Sequence, residues 1–384
     1  MVTRERILIA MSGGVDSAVA AARLVDQGHD VVGVTLHLWD YPEEGGARSH
    51  GRCCAPEDQY DARRTADALG IPHFTFDRRE LFAKTVVAPF VEAYLAGETP
   101  SPCTACNRGV KIAELIALAD RLGAARVATG HYARLGRTSE GTPFLREGAD
   151  ASKDQSYFLY ATRRDFLERL AFPLGESQKP EVRAEAVERK IPGAAKGESQ
   201  ELCFVGSGAG AYASFVEERA KDRVRPGPVV DTEGRVVGAH DGIHRFTVGQ
   251  RKGLRIAAGH RTFVTAIDAE TATVHLGDGA ALHSMVAELD DVVLAPGVAL
   301  PCDARVRVRY RHEGAQARIE SRTDTTALAN HEARAPGGRT ATVRFAAPVR
   351  AVSRGQVAVF YDGDRVLGGG RITSAQPSTS CASS

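Results

Sequence analysis

The sequence predicts an α/β protein: an N-terminal Rossmann-like domain on a parallel sheet, then two small β-rich domains, the last a β-barrel. Three observations carry that prediction. The first third of the chain alternates short apolar runs with stretches of helical period. Beyond about residue 205, glycine and proline divide the chain into short β-branched runs. The length of 384 residues leaves room for more than one core, and 43% hydrophobic with 25% charged residues is ordinary for a globular chain.

Residues 7–11 are uniformly apolar, as a strand buried on both faces requires. Residues 15–27 read as a helix with Val15, Val19 and Ala22 on one face. A second strand over 30–39 leads into a polar, glycine-rich loop ending near Gly51. Helix follows over 58–69, strand over 73–76, helices over 80–95 and 108–122, and strand over 126–129. This alternation argues a parallel sheet covered on both faces, with ligands at the carboxyl ends of its strands. Later strands fall at 227–230, 234–237, 263–267, 273–276, 343–345 and 356–361. The expected divisions are 1–205, 206–282 and 283–375, with a disordered polar tail over 376–384 that makes Cys381 a poor candidate for function.

Lys and Arg total 49 against 48 Asp and Glu, so only local clusters can argue for a polyanionic partner. No run approaches the roughly 20 apolar residues that span a bilayer. The N-terminus enters its first strand without a charged-then-apolar leader, so a cytoplasmic protein with no membrane partner is expected. The seven cysteines form an odd set, which in a reducing compartment points to metal, redox or sulfur chemistry rather than a disulfide scaffold.

The sharpest local signal is Ala10-Met11-Ser12-Gly13-Gly14-Val15-Asp16-Ser17, directly after a strand and opening a helix. The glycines let the backbone curl so that several N–H groups converge, and the helix adds the positive end of its dipole. Such a loop holds a pyrophosphate, with the Ser12 and Ser17 hydroxyls as further donors; Asp16 holds Mg²⁺ or orients the loop. A glycine turn with an N-cap is the plainer reading. No G-x-x-x-x-G-K-[ST] string occurs, which excludes a Walker-type loop. The string resembles the PP-loop of the ATP pyrophosphatases, which implies cleavage of ATP to AMP and pyrophosphate and adenylation of a carbonyl oxygen.

Cys103 and Cys106 form a CxxC pair in a proline-fixed loop ahead of a helix, where a thiol pKa is lowered. Cys203 follows about 100 residues later, between Leu202 and Phe204. Plainer readings are a structural zinc site completed by Cys53 and Cys54, and a buried strand position for Cys203. Cys302 carries no signal.

Nearly the full chain is similar to the bacterial tRNA-specific 2-thiouridylases. The resemblance rests on AMSGGVDS (10–17), TPSPCTACN (99–107), ATGHYAR (128–134), SKDQSYFLY (152–160), SQELCFVG (199–206), TVGQRKGL (247–254) and GQVAVFYDG (355–363). It implies a PP-loop ATP-pyrophosphatase catalytic domain over 1–205 and a linking, tRNA-binding domain over 206–282. It also implies ATP on residues 10–17, Leu36 and Gly130, with Cys106 as the nucleophile and Cys203 as the persulfide carrier. The implied reaction adenylates the 2-oxygen of the wobble uridine in tRNAs for Lys, Glu and Gln. The Cys203 persulfide then attacks, and Cys106 resolves the product through a transient Cys106–Cys203 disulfide. A cysteine desulfurase or sulfur-relay protein is the implied donor, and the anticodon arm of tRNA the implied partner. Many relatives have Asp where this chain has Cys103. Cys103, Cys106 and Cys203 therefore leave a second route open, a [4Fe–4S] cluster with one iron free to carry sulfide.

The same resemblance puts tRNA against Ser101, Pro102, Cys103, His131, Lys153, Asp154, Gln155, Arg309, Tyr310 and Gln356. Read alone, His131 is a structural histidine and the Lys153-Asp154-Gln155 triplet a capped helix start. Two basic stretches fit an RNA partner. One runs from His244 to Arg261 without an acidic residue, and the other alternates Arg305, Arg307, Arg309 and Arg311 with Val306, Val308 and Tyr310. Strand geometry would put those four guanidinium groups on one face, either a phosphate-tracking surface or a solvated edge. The competing enzyme class is a PP-loop amide- or lysidine-forming ligase acting on tRNA, which has no use for Cys106 and Cys203. A non-catalytic RNA-binding module that retains ATP affinity is the third reading.

Overall fold

The structure, a computed structural model, describes residues 4–40, 56–194, 202–206, 208, 210–254, 261–322 and 338–377. The expected loop to Gly51, Cys53, Cys54, Arg255 and residues 378–384 with Cys381 lie outside the described residues. The chain forms two units. The first comprises Met1–Val87, Pro102–Ser207 and Asp364–Val366; the second comprises Ala88–Ser101, Gly208–Gly363 and Leu367–Ser384.

The first unit is a parallel sheet of β1 (Arg6–Ala10), β2 (Asp30–His37), β3 (His73–Asp77), β4 (Arg126–Ala128) and β7 (Leu170–Ala171), in the order β3-β2-β1-β4-β7. The RILIA run of β1 sits at its centre, with Leu8 and Ile9 fully buried. Strand order reverses between β1 and β4, so the crevice for a ligand opens beyond their carboxyl ends. Between β4 and β7 the chain adds a hairpin that periodicity did not disclose, β5 (Ala133–Arg137) and β6 (Pro143–Glu147). Arg365 pairs across from Arg146 on β6, and Asp364 accepts hydrogen bonds from both Arg146 and Arg134, which offsets the like charges.

Helix α1 (Val15–Asp26) buries Ala18, Val19, Ala20, Ala21 and Ala22, so it is enclosed rather than amphipathic. Helix α2 (Pro56–Leu69) follows β2, and α3 (Arg79–Phe82) continues through a π turn, Ala83–Val87, into α4 (Ala88–Leu95). The helix expected over 80–95 is thus interrupted, and the interruption ends where the chain passes into the second unit. A second π turn, Asn107–Lys111, separates α5 (Pro102–Cys106) from α6 (Ile112–Arg121). The short α7 (Ser156–Leu159) and α8 (Arg164–Leu167) precede β7, and α9 (Lys179–Glu188) closes the unit. Three ion pairs tie α9 to α1: Lys179 to Asp16, Arg23 to Glu185, and Arg189 to Asp26. Both partners advance together along the sequence, so the two helices run parallel and present their N-termini at the same end.

In the second unit, α10 (Ala211–Arg219) joins α4 through the stacked rings of Phe90, Tyr94, Tyr212 and Phe215. A four-stranded sheet follows in the order β10 (Phe263–Asp268), β11 (Thr273–Gly277), β8 (Gly227–Val230), β9 (Val236–His240), packed over Val229, Ile243, Phe246 and Val274. The last six strands close a barrel: β12 (His283–Leu294), β15 (Arg339–Arg350), β14 (Ala315–Arg322), β13 (Cys302–Arg307), β16 (Val357–Asp362) and β17 (Arg365–Pro377), with β12 pairing to β17. Bulges along β12 bend it around the closure.

The arginine-lined strand differs from expectation. Strand β13 stops at Arg307, so Arg309 and Arg311 lie in the turn beyond it. Arg305 and Arg307 instead lay their guanidinium groups over the ring of Tyr361, at 4.7 and 5.6 Å from its centroid. Arg307 is buried and donates to Tyr310 O, and Arg305 Nη1 donates to Glu313 O. The reason is the ring: a buried aromatic face offers a desolvated arginine more than an open strand edge does. In the other basic stretch, His244 is buried against Glu217, which also pairs with Arg245; Arg251 and Lys252 are exposed.

The peptide just ahead of α5 is gripped within the second unit. Glu98 accepts from Arg354 and Arg371, Arg371 also pairs with the buried Asp290, and Thr99 N donates to Arg354 O. Gln356 Nε2 donates to Thr99 O at 2.9 Å and Pro100 O at 3.2 Å. Arg371→Met leaves the Asp290 carboxylate without its guanidinium. The expected loss is about 2–3 kcal/mol in urea unfolding, discounted from a fully buried pair because Arg371 keeps solvent access. An unchanged midpoint would show that the network carries no stability.

Candidate active site

The loop between β1 and α1 is braced from within. Ser17 Oγ donates to Gly14 O at 3.0 Å and accepts from Ser12 N at 3.1 Å, with Ser12 Oγ 3.3 Å away. The Ser17 hydroxyl thus closes the loop rather than facing a ligand. Met11 N donates to Val34 O and Met11 O accepts from Thr35 Oγ1, which ties the loop to β2 one residue before the buried Leu36. Gly13 has φ +75°, and a Cβ there would lie 2.0 Å from Asp58 O. A Cβ on Gly130, which follows β4, would lie 2.8 Å from Ser17 N, so the first turn of α1 rests on bare backbone.

Asp16 faces a cation. Both its carboxylate oxygens accept from Lys179 Nζ, at 2.6 and 2.7 Å, and Tyr132 Oη donates to Oδ1 at 2.9 Å. Lys179 is 8% exposed and its ammonium lies 5.6 Å from the centroid of the Tyr132 ring. Its backbone N–H is held by Asp150 Oδ2, and Gln178 with Glu181 forms a capping box at the start of α9. Lys179 and Tyr132 are the site residues that motif reading missed. The available signal was electrostatic: a lysine in the first turn of a helix opposes the dipole and needs an anionic partner.

Behind this cradle lies a second polar layer. Gln155 Oε1 accepts from Tyr132 N, and Gln155 N donates to Tyr132 O. Asp154 is buried, taking the N–H groups of Gly148 and Ser156 and the Ser156 hydroxyl, so it satisfies the first N–H of α7. Lys153 is half-buried. His131 Nδ1 lies 2.8 Å from Thr129 Oγ1. Burial, and secondarily the Lys111 charge, pushes its imidazole down to about 3, so the ring is neutral near pH 7.

Cys103 is exposed and Cys106, one turn on along α5, is buried; Ser101 is half-buried and Pro102 buried. Helix α5 meets α7 where Asn107 Nδ2 donates to Phe158 O at 3.3 Å. That bond fixes the amide orientation, and Asn107 Oδ1, in a side chain 4% exposed, accepts nothing among the described residues. Cys203 sits in a turn closed by Val205 N to Leu202 O and is half-buried, not a buried strand residue. Its neighbour Phe204 stacks edge-on against Trp39 and Phe82, which anchors the turn beside the chain leaving β2. Exposed Arg309, half-buried Tyr310 and Gln356 belong to the second unit.

Among the described residues, no three His, Cys, Asp or Glu side chains gather as a metal-holding group. Cys103, Cys106 and Cys203 are thus not gathered as one group here, and the Asp16 carboxylate is engaged by Lys179. No described helix is long and apolar enough to cross a membrane.

Three family models match in succession: a tRNA methyl transferase HUP domain over residues 5–207, a tRNA methyl transferase PRC-barrel domain over 213–278, and an aminomethyltransferase β-barrel domain over 293–372. The tRNA-specific 2-thiouridylase MnmA of Sorangium cellulosum is 61% identical over 96% of this chain and 92% of its own length. The chain belongs to the tRNA-specific 2-thiouridylase family. Further 2-thiouridylase relatives include those of Rhodospirillum centenum, 44% identical over 98% of this chain and 94% of the relative, and Heliobacterium modesticaldum, 42% identical over 96% and 92%.

For this thiouridylase-family chain the neutral His131 has a measurable consequence. Its folded-state pKa lies below the ordinary 6.5, so the stability it contributes is complete above pH 6.5 and is lost as pH falls toward 3. Relative to His131→Gln, the protein should lose up to about 1.4 kcal/mol per pH unit below 6.5 in urea unfolding between pH 7 and 5. Parallel losses in the two proteins would show that the ring protonates freely in the folded state.

Proposed function

We propose that this chain is an ATP-dependent tRNA-uridine 2-sulfurtransferase that thiolates the wobble uridine of tRNAs for Lys, Glu and Gln in the cytoplasm. The observation that carries the reading is the full-length kinship with 2-thiouridylases, which the glycine-curled loop at the switch point of a parallel sheet supports.

ATP would lie with its phosphates on residues 10–17, beside Leu36 and Gly130, and Mg²⁺ would accompany the triphosphate as its counter-ion. The uridine 2-oxygen attacks the α-phosphorus and pyrophosphate departs with the bonding pair. That leaves AMP on the 2-oxygen, so the base carbon acquires a good leaving group. The terminal sulfur of a Cys203 persulfide attacks that carbon and AMP departs with the oxygen. The Cys106 thiolate then attacks the Cys203 sulfur, releasing the thiolated base and leaving a Cys106–Cys203 disulfide for a dithiol to reduce. The half-buried Cys203 suits a thiol loaded by an outside cysteine desulfurase or relay protein, and the buried Cys106 suits one that meets only the base. For tRNA we assign Ser101, Pro102, Cys103, His131, Lys153, Asp154, Gln155, Arg309, Tyr310 and Gln356; Asp154 and Gln155 act within the first unit, and Gln356 within the second, through the backbone bonds described above.

Purified protein, ATP, unmodified tRNA and a cysteine desulfurase should give AMP, pyrophosphate and 2-thiouridine. Cys203→Ser should lower thiolation by about 100-fold or more while tRNA-dependent pyrophosphate release in a single turnover persists. Release of AMP and pyrophosphate without any 2-thiouridine, at the same rate in the parent and in Cys203→Ser, would point instead to an amide- or lysidine-forming ligase.

A further inference from the structure

We infer that Lys179 is the phosphate-binding cation of this site, held by Asp16 until a triphosphate or pyrophosphate group takes its place. The inference rests on the nucleotide-site reading of the loop over residues 10–17 and adds to it a residue from the far end of the same unit.

Four observations converge. Lys179 is 8% exposed, and a buried ammonium needs anionic company. Its partner is Asp16, inside the first turn of α1, so Nζ stands 2.6 Å from a carboxylate oxygen carried by the helix that follows the glycine loop. Helix α9 runs parallel to α1, so two N-termini already point to one end, and Lys179 adds a third positive element there. Without an anion, such an arrangement repels itself, and Asp16 is the side chain that relieves it. Asp16 is also held by Tyr132, a donor that stays with the carboxylate when the ammonium leaves. The Lys179 stem is flexible and its backbone is fixed by Asp150 and the capping box, so only the ammonium has to move.

An arriving polyanion competes with Asp16 for the ammonium. The cation then sits beside the phosphates whose charge rises when pyrophosphate leaves the α-phosphorus. The lysine exchanges one oxyanion for another. The same side chain would hold product pyrophosphate, which AMP alone cannot recruit.

The test compares ATP, inorganic pyrophosphate and AMP by calorimetric titration of the full chain. Lys179→Gln keeps a donor toward Asp16 and so preserves the fold, while Lys179→Arg keeps the charge. Lys179→Gln should weaken ATP and pyrophosphate by about 10- to 100-fold and leave AMP within about twofold, with Lys179→Arg recovering most of the loss. Asp16→Asn frees the ammonium and should bind pyrophosphate at least as well as the parent. Equal affinity of the parent and Lys179→Gln for pyrophosphate would overturn the assignment, as would a parallel loss of AMP and ATP in a variant that melts normally. Failure of the unaltered protein to bind ATP and AMP alike would instead remove the nucleotide site itself.

Discussion

Two helices from distant parts of the sequence run side by side in the same direction, tied at Asp16–Lys179, Arg23–Glu185 and Asp26–Arg189. That pairing aligns two dipoles at one end of the first unit, a placement unfavourable unless negative charge collects there. The central strand β1 delivers the loop to that end, and Gly130 at the end of β4 leaves room for the first turn of α1. The remaining polar residues around the loop, Tyr132, Gln155 and Asp150, act by fixing these pieces rather than by facing solvent.

Much of this was legible. A buried parallel sheet writes itself as continuous apolar runs, and the strands at 7–11, 30–39, 73–76 and 126–129 fall within a residue or two of β1 to β4. The loop over 10–17 was legible because converging N–H groups demand glycine at fixed places, and Gly13 meets that demand with both its φ and its contact to Asp58. The hairpin of β5 and β6 escaped because its strands carry arginine and glycine rather than alternating apolar residues, and their partner Asp364 lies more than two hundred residues on. The two π turns escaped because an inserted residue in a helix leaves the composition unchanged.

At the site, residue type was readable and orientation was not. Asp154 and Gln155 stand where motif resemblance puts tRNA, yet their side chains are committed to α7 and to Tyr132. Arg307 shows the same thing in the barrel, where period-two spacing ignores the ring of Tyr361 and the early end of β13. Lys179 lay outside every motif, because an ion pair across more than 160 residues has no local period.

The glycines at 13 and 130 also bear on thermodynamics. Backbone from Asp58 presses on one and backbone from Asp16 and Ser17 on the other, so the curl between them is a mould already set. A guest entering such a mould is met without the entropic penalty of freezing a floppy segment. What such a guest still has to meet is the exchange of its hydration for fixed donors.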